Sequence, residues 1–405
     1  MDLITECEDR LKEIFSYYDD IALYNTEKVL KAFQECKVAN RHFFGSTGYG
    51  YGDEGRDKLC EVFAHAFKAE SALVTPLITC GSHALNIALF GLLRPGDIIF
   101  SITGDPYDTL GEVVYDKKGL GSLPDFGIKF EKLELKNGEI DEKNALEYII
   151  KNTPKVVYVQ RSRGYAIRDA LSVDKMESVF KKIKEISPNS FIMVDNCYGE
   201  FVEKREPTEV GADVIVGSLI KNAGGSLAPT GAYIAGTKKA IDLISNRFTS
   251  ASLGVEVGSF EMGYRLFFQG LFIAPHVTVG AIKGMYLIGE LMNRLGYNIM
   301  PKSEQKTYDI IKSIEFNTQS ELIDFVQTIQ KYSPVDSNVI PEPWDMPGYT
   351  EQVIMAAGTF VGGASIELSA DCPIKKPYWA YLQGGITYEH CKLVAYKLLE
   401  KFIKN

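Results

Sequence analysis

The chain has 405 residues, of which 45% are hydrophobic, 11% aromatic and 24% charged, with a formal net charge of −9. These fractions exclude wholesale disorder and collagen-like structure, and the length implies two or three domains. The acidic balance argues against nonspecific binding to nucleic acid or to an anionic membrane.

Along the chain, a helical pattern runs to about Cys36 and gives way to an aromatic, glycine-rich loop, RHFFGSTGYGYGDEGR. Short apolar runs then alternate with helical patterns. SALVTPLI (Ser71 to Ile78) precedes a helix over Ser82 to Leu93, followed by DIIFSI. KVVYVQR (Lys155 to Arg161) leads to a helix over Asp174 to Ile186, then to FIMVDN and DVIVGSL. Continuous apolar strands between helices predict an α/β fold with a mostly parallel sheet flanked by helices. The pattern changes near Ala274. A long helix, Pro275 to Leu295, precedes a helix–strand–strand–helix segment ending in a charged helix over Glu389 to Lys404. The expected division is a helical arm (1–50), a large α/β domain (51–274), and a linking helix with a small α+β domain (275–405).

Seven cysteines, an odd number with wide spacing and no C-x-x-C, fit reduced thiols in a cytoplasmic protein. The N-terminus MDLITECEDR has no signal-peptide pattern. The most apolar region, Leu253 to Leu291, is broken by Glu256, Glu261, Arg265, Lys283 and Glu290 and reads as buried helices rather than a membrane span. The five histidines show no metal-ligand spacing, and no metal is expected.

Two strand ends carry the candidate chemistry. Asp195 closes the buried strand FIMVD, and Lys221 follows the next strand, so both leave the same edge of the sheet. Ligands of open α/β sheets sit outside the carboxyl ends of the strands. A plain salt bridge between the two is the competing reading. Gly81 and Ser82 begin a helix after a strand, where free N–H groups and the positive dipole end attract a phosphate. A simple serine cap would look the same. Ser218 precedes the lysine, and Gly224 and Gly225 follow it, permitting close backbone approach to a ligand. An anion cup, a lysine and a buried carboxylate at one sheet edge match the needs of pyridoxal 5'-phosphate. Two decoys are weak: GYGDEG does not follow a strand, and SLIK lacks the companion motifs of serine acyl enzymes.

The segments VDNCYGEF, GSLIKNAGGSLAPTGAYIAG, FVGGASIELSAD and YLQGGITYEH together resemble the methionine γ-lyase-related, aluminium-resistance group of fold-type I pyridoxal-phosphate enzymes, similar to cystathionine β-lyases. The resemblance spans the chain from the GYGYGDEGR loop onward. It implies Lys221 as the Schiff-base lysine and Asp195 as the partner of the pyridine nitrogen. Ser82 and His83 would offer backbone amides, beside Gly81, and Ser218 a hydroxyl, to the phosphate. Tyr107, in GDPYDTL, would stack on the cofactor ring and serve as an acid. Tyr51 and Arg56 would reach the phosphate of a neighbouring subunit, in a homodimer or homotetramer; for Arg56 a solvated surface charge is the competing reading.

The implied activity is carbon–sulfur cleavage of a sulfur-containing amino acid, of cystathionine β-lyase or methionine γ-lyase type, through an external aldimine and removal of the Cα proton by Lys221, its pKa lowered. The alternatives are a γ-replacement transferase, a non-catalytic pyridoxal-phosphate-bound regulator, or a metal-resistance binding protein. Two departures from the family pattern stand out. Ile220 replaces the Ser or Thr before the lysine, and the family's carboxylate-binding arginine has no counterpart near Tyr381. Lys375 and Lys376 are the nearest candidate cations for a substrate carboxylate.

Overall fold

A computed structural model describes residues 2–115, 119–346 and 351–403. Lys404, in the last expected helix, lies outside them. The first half of the chain forms α1 (Leu3–Glu35), α2 (Glu54–Ala66), β1 (Ser71–Thr75), α3 (Gly81–Leu92), β2 (Ile98–Ser101), α4 (Asp108–Val114), β3 (Lys129–Lys132), α5 (Glu142–Asn152), β4 (Val156–Gln160), α6 (Val173–Ile186) and β5 (Phe191–Asp195). The second half adds β6 (Val214–Ser218), β7 (Ala232–Gly236), α7 (Lys238–Phe248), α8 (Arg265–Arg294), β8 (Asn298–Met300), β9 (Ile311–Phe316), α9 (Gln319–Lys331), β10 (Val353–Ala356), β11 (Ser369–Pro373), β12 (Tyr378–Gln383) and α10 (Tyr388–Phe402).

The large sheet has seven strands in the order β1-β7-β6-β5-β4-β2-β3. The run from β3 to β6 is parallel, whereas β7 is antiparallel to both of its neighbours. Every residue of β4, β5, β6 and β7 is buried, which is why these segments read as continuous apolar runs. One apolar cluster fills each face. Phe63, Phe67, Phe180 and Phe201 lie in one, and Leu85, Leu89, Tyr158 and Met193 in the other.

The smaller sheet is antiparallel, in the order β10-β11-β12-β9-β8, and packs on α8 and α9, with α10 against both helices. The N-terminal half of α1 is not a free arm. Ile4, Cys7, Leu11, Tyr18 and Ile21 lie in the same cluster as α8 and the small sheet, while Val29 and Ala32 join the core of the large one. The linking helix begins ten residues earlier than the sequence pattern suggests, at Arg265, and carries Pro275 in its interior. By length and composition α8 is apolar enough to cross a membrane, but 78% of its most apolar window is buried inside the fold. Its apolarity serves the seam between two cores.

Candidate active site

Parallel strands β5 and β6 end side by side, with Asp195 opposite Val216 in register. The chain leaves β6 at Ser218 and turns within three residues, the Lys221 N–H donating to the Ser218 carbonyl at 3.3 Å. Lys221 and Asp195 therefore share one cavity at the carboxyl edge of the sheet, of about 150 Å³. Gly81, Ser82, Tyr107, Gln160, Ser162, Cys197, Tyr198 and Ser218 complete most of its lining.

The first turn of α3 faces this cavity. Its N-cap is Cys80, whose side chain makes no capping hydrogen bond. First-turn N–H groups have no carbonyl within their own helix, and with the dipole they favour an anion. A Cβ on Gly81 would sit 3.5 Å from Ser218 Cβ and 3.6 Å from Cys197 Sγ, so this glycine holds the floor of the cup open. His83 is not in the cavity lining, and its Nδ1 accepts from the Thr79 N–H at 3.2 Å.

Asp195 is held rigidly. Its Oδ1 accepts from the Cys197 N–H at 3.1 Å, and its Oδ2 from the Tyr158 hydroxyl at 3.5 Å. Burial raises its pKa, opposed by Lys221 and by the Cys197 N–H. Burial likewise disfavours the Lys221 ammonium, but Cys197, Tyr198 and Asp195 around it oppose this and raise its pKa above the ordinary lysine value. The lowered pKa expected of Lys221 concerns the cofactor-loaded site, and the upward shift here comes from its protein neighbours alone.

Tyr198, absent from the sequence reasoning, lies against the lysine. Lys221 Nζ sits 4.0 Å from the centroid of its ring, a cation–π contact. The residue has φ of 70°, the left-handed region that a bulky side chain rarely adopts. A buried brace holds this strained turn. Arg161 donates to Asn196 Oδ1 at 2.7 Å, to the Gly199 carbonyl at 2.9 Å and to Glu203 Oε2 at 2.6 Å. Gly199 is required there, since an added Cβ would lie 2.6 Å from the Arg161 guanidinium. The signal was the polar run QRSR straight after an apolar strand, where buried arginines need buried partners.

Tyr107, the N-cap residue of α4, lines both this cavity and a second one of about 230 Å³ above it. The upper chamber is bounded by Tyr198, Lys221, Met346, Met355, Thr359, Asp371 and Gln383, so the small domain roofs the site. Arg163 clamps that roof down, with Nε and Nη2 donating to Asp309 at 3.2 and 3.3 Å. A larger groove of about 580 Å³ lies on the surface beside α9 and α10. It gathers solvent-facing Lys331, Lys397, Glu400 and Lys401 rather than buried chemistry, so size alone does not mark the site.

Other expectations fare differently. Gly224 and Gly225 do not line the cup. A Cβ on Gly224 would strike the Leu219 carbonyl, and one on Gly225 would meet the Gly270 carbonyl of α8. They let α8 approach. Lys375 and Lys376 are exposed in the hairpin turn between β11 and β12, at the end away from Ser369 and Gln383, which line the chamber. They do not face it, because strand register carries them past the sheet edge. Arg56 is buried rather than solvated, donating to the carbonyl of Gly50 at 3.0 Å and pairing with Asp57. Tyr51 is 62% exposed and stacks on Tyr49. Neither belongs to the lining of the cup in its own chain.

The residues present fit pyridoxal 5'-phosphate. The cup offers an uncapped helix start and the Ser218 hydroxyl for a phosphate, a lysine for a carbonyl carbon, and a buried carboxylate for a ring cation. Gln160 Oε1, buried in the lining residue, has no hydrogen-bond partner among the described residues, as expected where a polar ligand belongs. Among the described residues no three His, Cys, Asp or Glu side chains converge to hold a metal ion.

The family described as "Methionine gamma-lyase" matches residues 1–403. The protein YnbB of Bacillus subtilis (strain 168) is 46% identical over 390 residues, covering 96% of this chain and 92% of its own. A crystal structure from Listeria innocua, described as a candidate cystathionine beta-lyase involved in aluminium resistance, is 48% identical, covers 98% of both chains and superposes with a TM-score of 0.96. The pyridoxal-5'-phosphate-dependent protein YhfS from Escherichia coli shares the fold at 15% identity, with a TM-score of 0.63 over 96% of this chain and 97% of its own.

Proposed function

The chain belongs to the methionine gamma-lyase family, with the fold of pyridoxal-phosphate enzymes, and is a lyase that depends on that cofactor; we propose that it cleaves the carbon–sulfur bond of a sulfur-containing amino acid, of cystathionine β-lyase or methionine γ-lyase type. The observation that carries this reading is the shared cavity of Asp195 and Lys221 at the start of α3, opening into a second chamber large enough for an amino-acid side chain.

When bound, pyridoxal phosphate supplies an electron sink for the pair left behind when a proton leaves Cα. The rest is done by side chains of this protein. Lys221 Nζ would hold the cofactor and, as a free amine, would take up the Cα proton of the substrate. Burial and the contact with Tyr198 fix that nitrogen in the cavity. Asp195, fixed by the Cys197 N–H, would hold a proton on the cofactor's ring nitrogen, and a cation there would offset the cost of burying this carboxylate. The amides of Gly81, Ser82 and His83 and the hydroxyl of Ser218 would hold the phosphate. Tyr107, lining both cavities, is placed to protonate the departing sulfur. The clamp of Arg163 on Asp309 keeps the roof seated and water out.

By the same proposal, the exposed loop bearing Tyr51, held by Arg56, completes the phosphate site of a second copy, so that the working unit is a homodimer or a tetramer built from it. Purified protein should be yellow, and borohydride should fix the cofactor to the peptide containing Lys221. A panel of thioether amino acids, scored for pyruvate against oxobutyrate, assigns β- or γ-cleavage. Absence of keto acid from every member would overturn the reading.

A further inference from the structure

The upper chamber carries a carboxylate in an otherwise largely apolar and uncharged lining. Asp371 projects from β11 into it, among the apolar Met346, Met355, Ala357 and Ala364. Gln383 Nε2 donates to its Oδ2 at 3.0 Å, and the Tyr165 hydroxyl donates to the same oxygen at 3.3 Å. Both bonds fall on one oxygen, and among the described residues Oδ1 takes none. The Ser369 hydroxyl, 5% exposed and in the same lining, has no hydrogen-bond partner among the described residues. Lys221 is the one cation among the described lining residues.

We propose that Asp371 is a specificity-determining residue, receiving a protonated amine at the far end of the substrate, so that the preferred substrate is a thioether amino acid with a second amino group beyond sulfur. The proposal rests on the lyase reading above for its reaction but not for its binding. Apolar walls suit the carbon–sulfur chain, and a carboxylate with one open oxygen suits an ammonium at its tip. Gln383 and Tyr165, both donors to Oδ2, fix the carboxylate so that Oδ1 is presented. The Ser369 hydroxyl supplies a further acceptor within the same chamber. The carboxylate repels an α-carboxylate, which therefore lies toward the cup and away from the chamber's end. Burial raises the pKa of Asp371 to about 6, with Tyr165, Gln383 and Lys221 opposing. Selectivity for the amine accordingly weakens as pH falls through that value, where the carboxyl gains a proton.

Two isosteric pairs of ligands test this on the cofactor-loaded protein. S-aminoethylcysteine and S-propylcysteine differ in the terminal ammonium, as do their uncleavable counterparts lysine and α-aminoheptanoate. Calorimetric titration at pH 8 should show lysine binding about tenfold to a hundredfold more tightly than α-aminoheptanoate, and Asp371→Asn should erase that difference. Turnover should follow the same order through KM, and Asp371→Asn should raise KM for S-aminoethylcysteine at least tenfold more than for S-propylcysteine. Equal binding of the two ligands by the natural protein, binding of neither, or an equal loss for both in Asp371→Asn overturns the proposal. If lysine is favoured and neither thioether is cleaved, the binding assignment stands and the lyase reading falls. If S-propylcysteine is cleaved as well as S-aminoethylcysteine, the lyase reading stands and this one falls.

Discussion

The two halves of the site are built by different rules. The lower cup belongs to parallel strands, whose carboxyl ends place Asp195 and Lys221 a strand apart, and to the start of α3 that faces them. The upper chamber belongs to an antiparallel sheet and its loops, which contribute Asp371, Gln383, Ser369 and Met355. In the cup, position along a strand dictates position in space, because each strand must end at the same edge. In the chamber, facing depends on register between β11 and β12, and that register is set by a turn. The cup is therefore generic chemistry, and the chamber is where this chain chooses its substrate.

The sharpest way to separate them is to disable the cup. Lys221→Ala should be colourless and lose about four orders of magnitude in turnover, as expected for loss of a group that is both attachment point and base. Full activity without Lys221 would show that the cup is not the reacting half. Asp195→Asn should come next, with about a hundredfold loss in kcat, cofactor still bound and little change in KM; stopped-flow isotope effects on the Cα proton would report it. A change confined to KM would move Asp195 from chemistry to binding.

Glycines give a finer cut. Gly224→Ala should cost about 1 to 3 kcal/mol of stability, because its Cβ meets the Leu219 carbonyl and cannot be relieved by a side-chain rotation. Gly81→Ala should fold with an unchanged midpoint, since its Cβ makes ordinary contacts, yet bind pyridoxal phosphate more weakly by narrowing the cup. Thermal melts of the apo proteins, set beside cofactor titrations, distinguish a packing glycine from a lining one.

These glycines also show where legibility in the sequence ends. Apolar runs bounded by helices exposed the sheet, its parallel character and the strand ends, since burial on both faces leaves a periodicity-free signature. Lys221, Asp195, Gly81, Ser82 and Ser218 follow from strand ends alone. Tyr198 did not, because its placement depends on a left-handed turn held by Arg161 from another strand end. Asp371 was hidden for the same reason: a short polar strand, SADCP, has no pattern to say which face is inside. The extra turns of α8 before Pro275 were missed since a proline usually marks a helix start, whereas here neighbouring packing carries the helix through it.

Titration separates the chamber from the cup in stability as well as in binding. Asp371 has a folded-state pKa of about 6, above its value in the unfolded chain. The folded protein thus holds the extra proton between roughly pH 4 and 6, and this carboxyl weighs against folding increasingly as pH rises through that window. Asp371→Asn should therefore raise the melting midpoint at pH 8 relative to the natural protein, with the gain fading by pH 4. A gain independent of pH would mean that the carboxylate is not buried at a cost.

The smallest effect is expected at the exposed hairpin turn. Lys375→Ala with Lys376→Ala removes two charges that point to solvent at the far end of the β11–β12 hairpin. Screening by salt and water leaves such charges little influence on a chamber lined by the other end of the hairpin. KM for every amino-acid substrate should change by less than about twofold, and an increase of tenfold would return the substrate carboxylate to these lysines. The comparison has a direct reading. If the hairpin matters and Asp371 does not, specificity is electrostatic attraction at the rim; if the reverse holds, it is set by a single buried carboxylate that rejects one end of the substrate and receives the other.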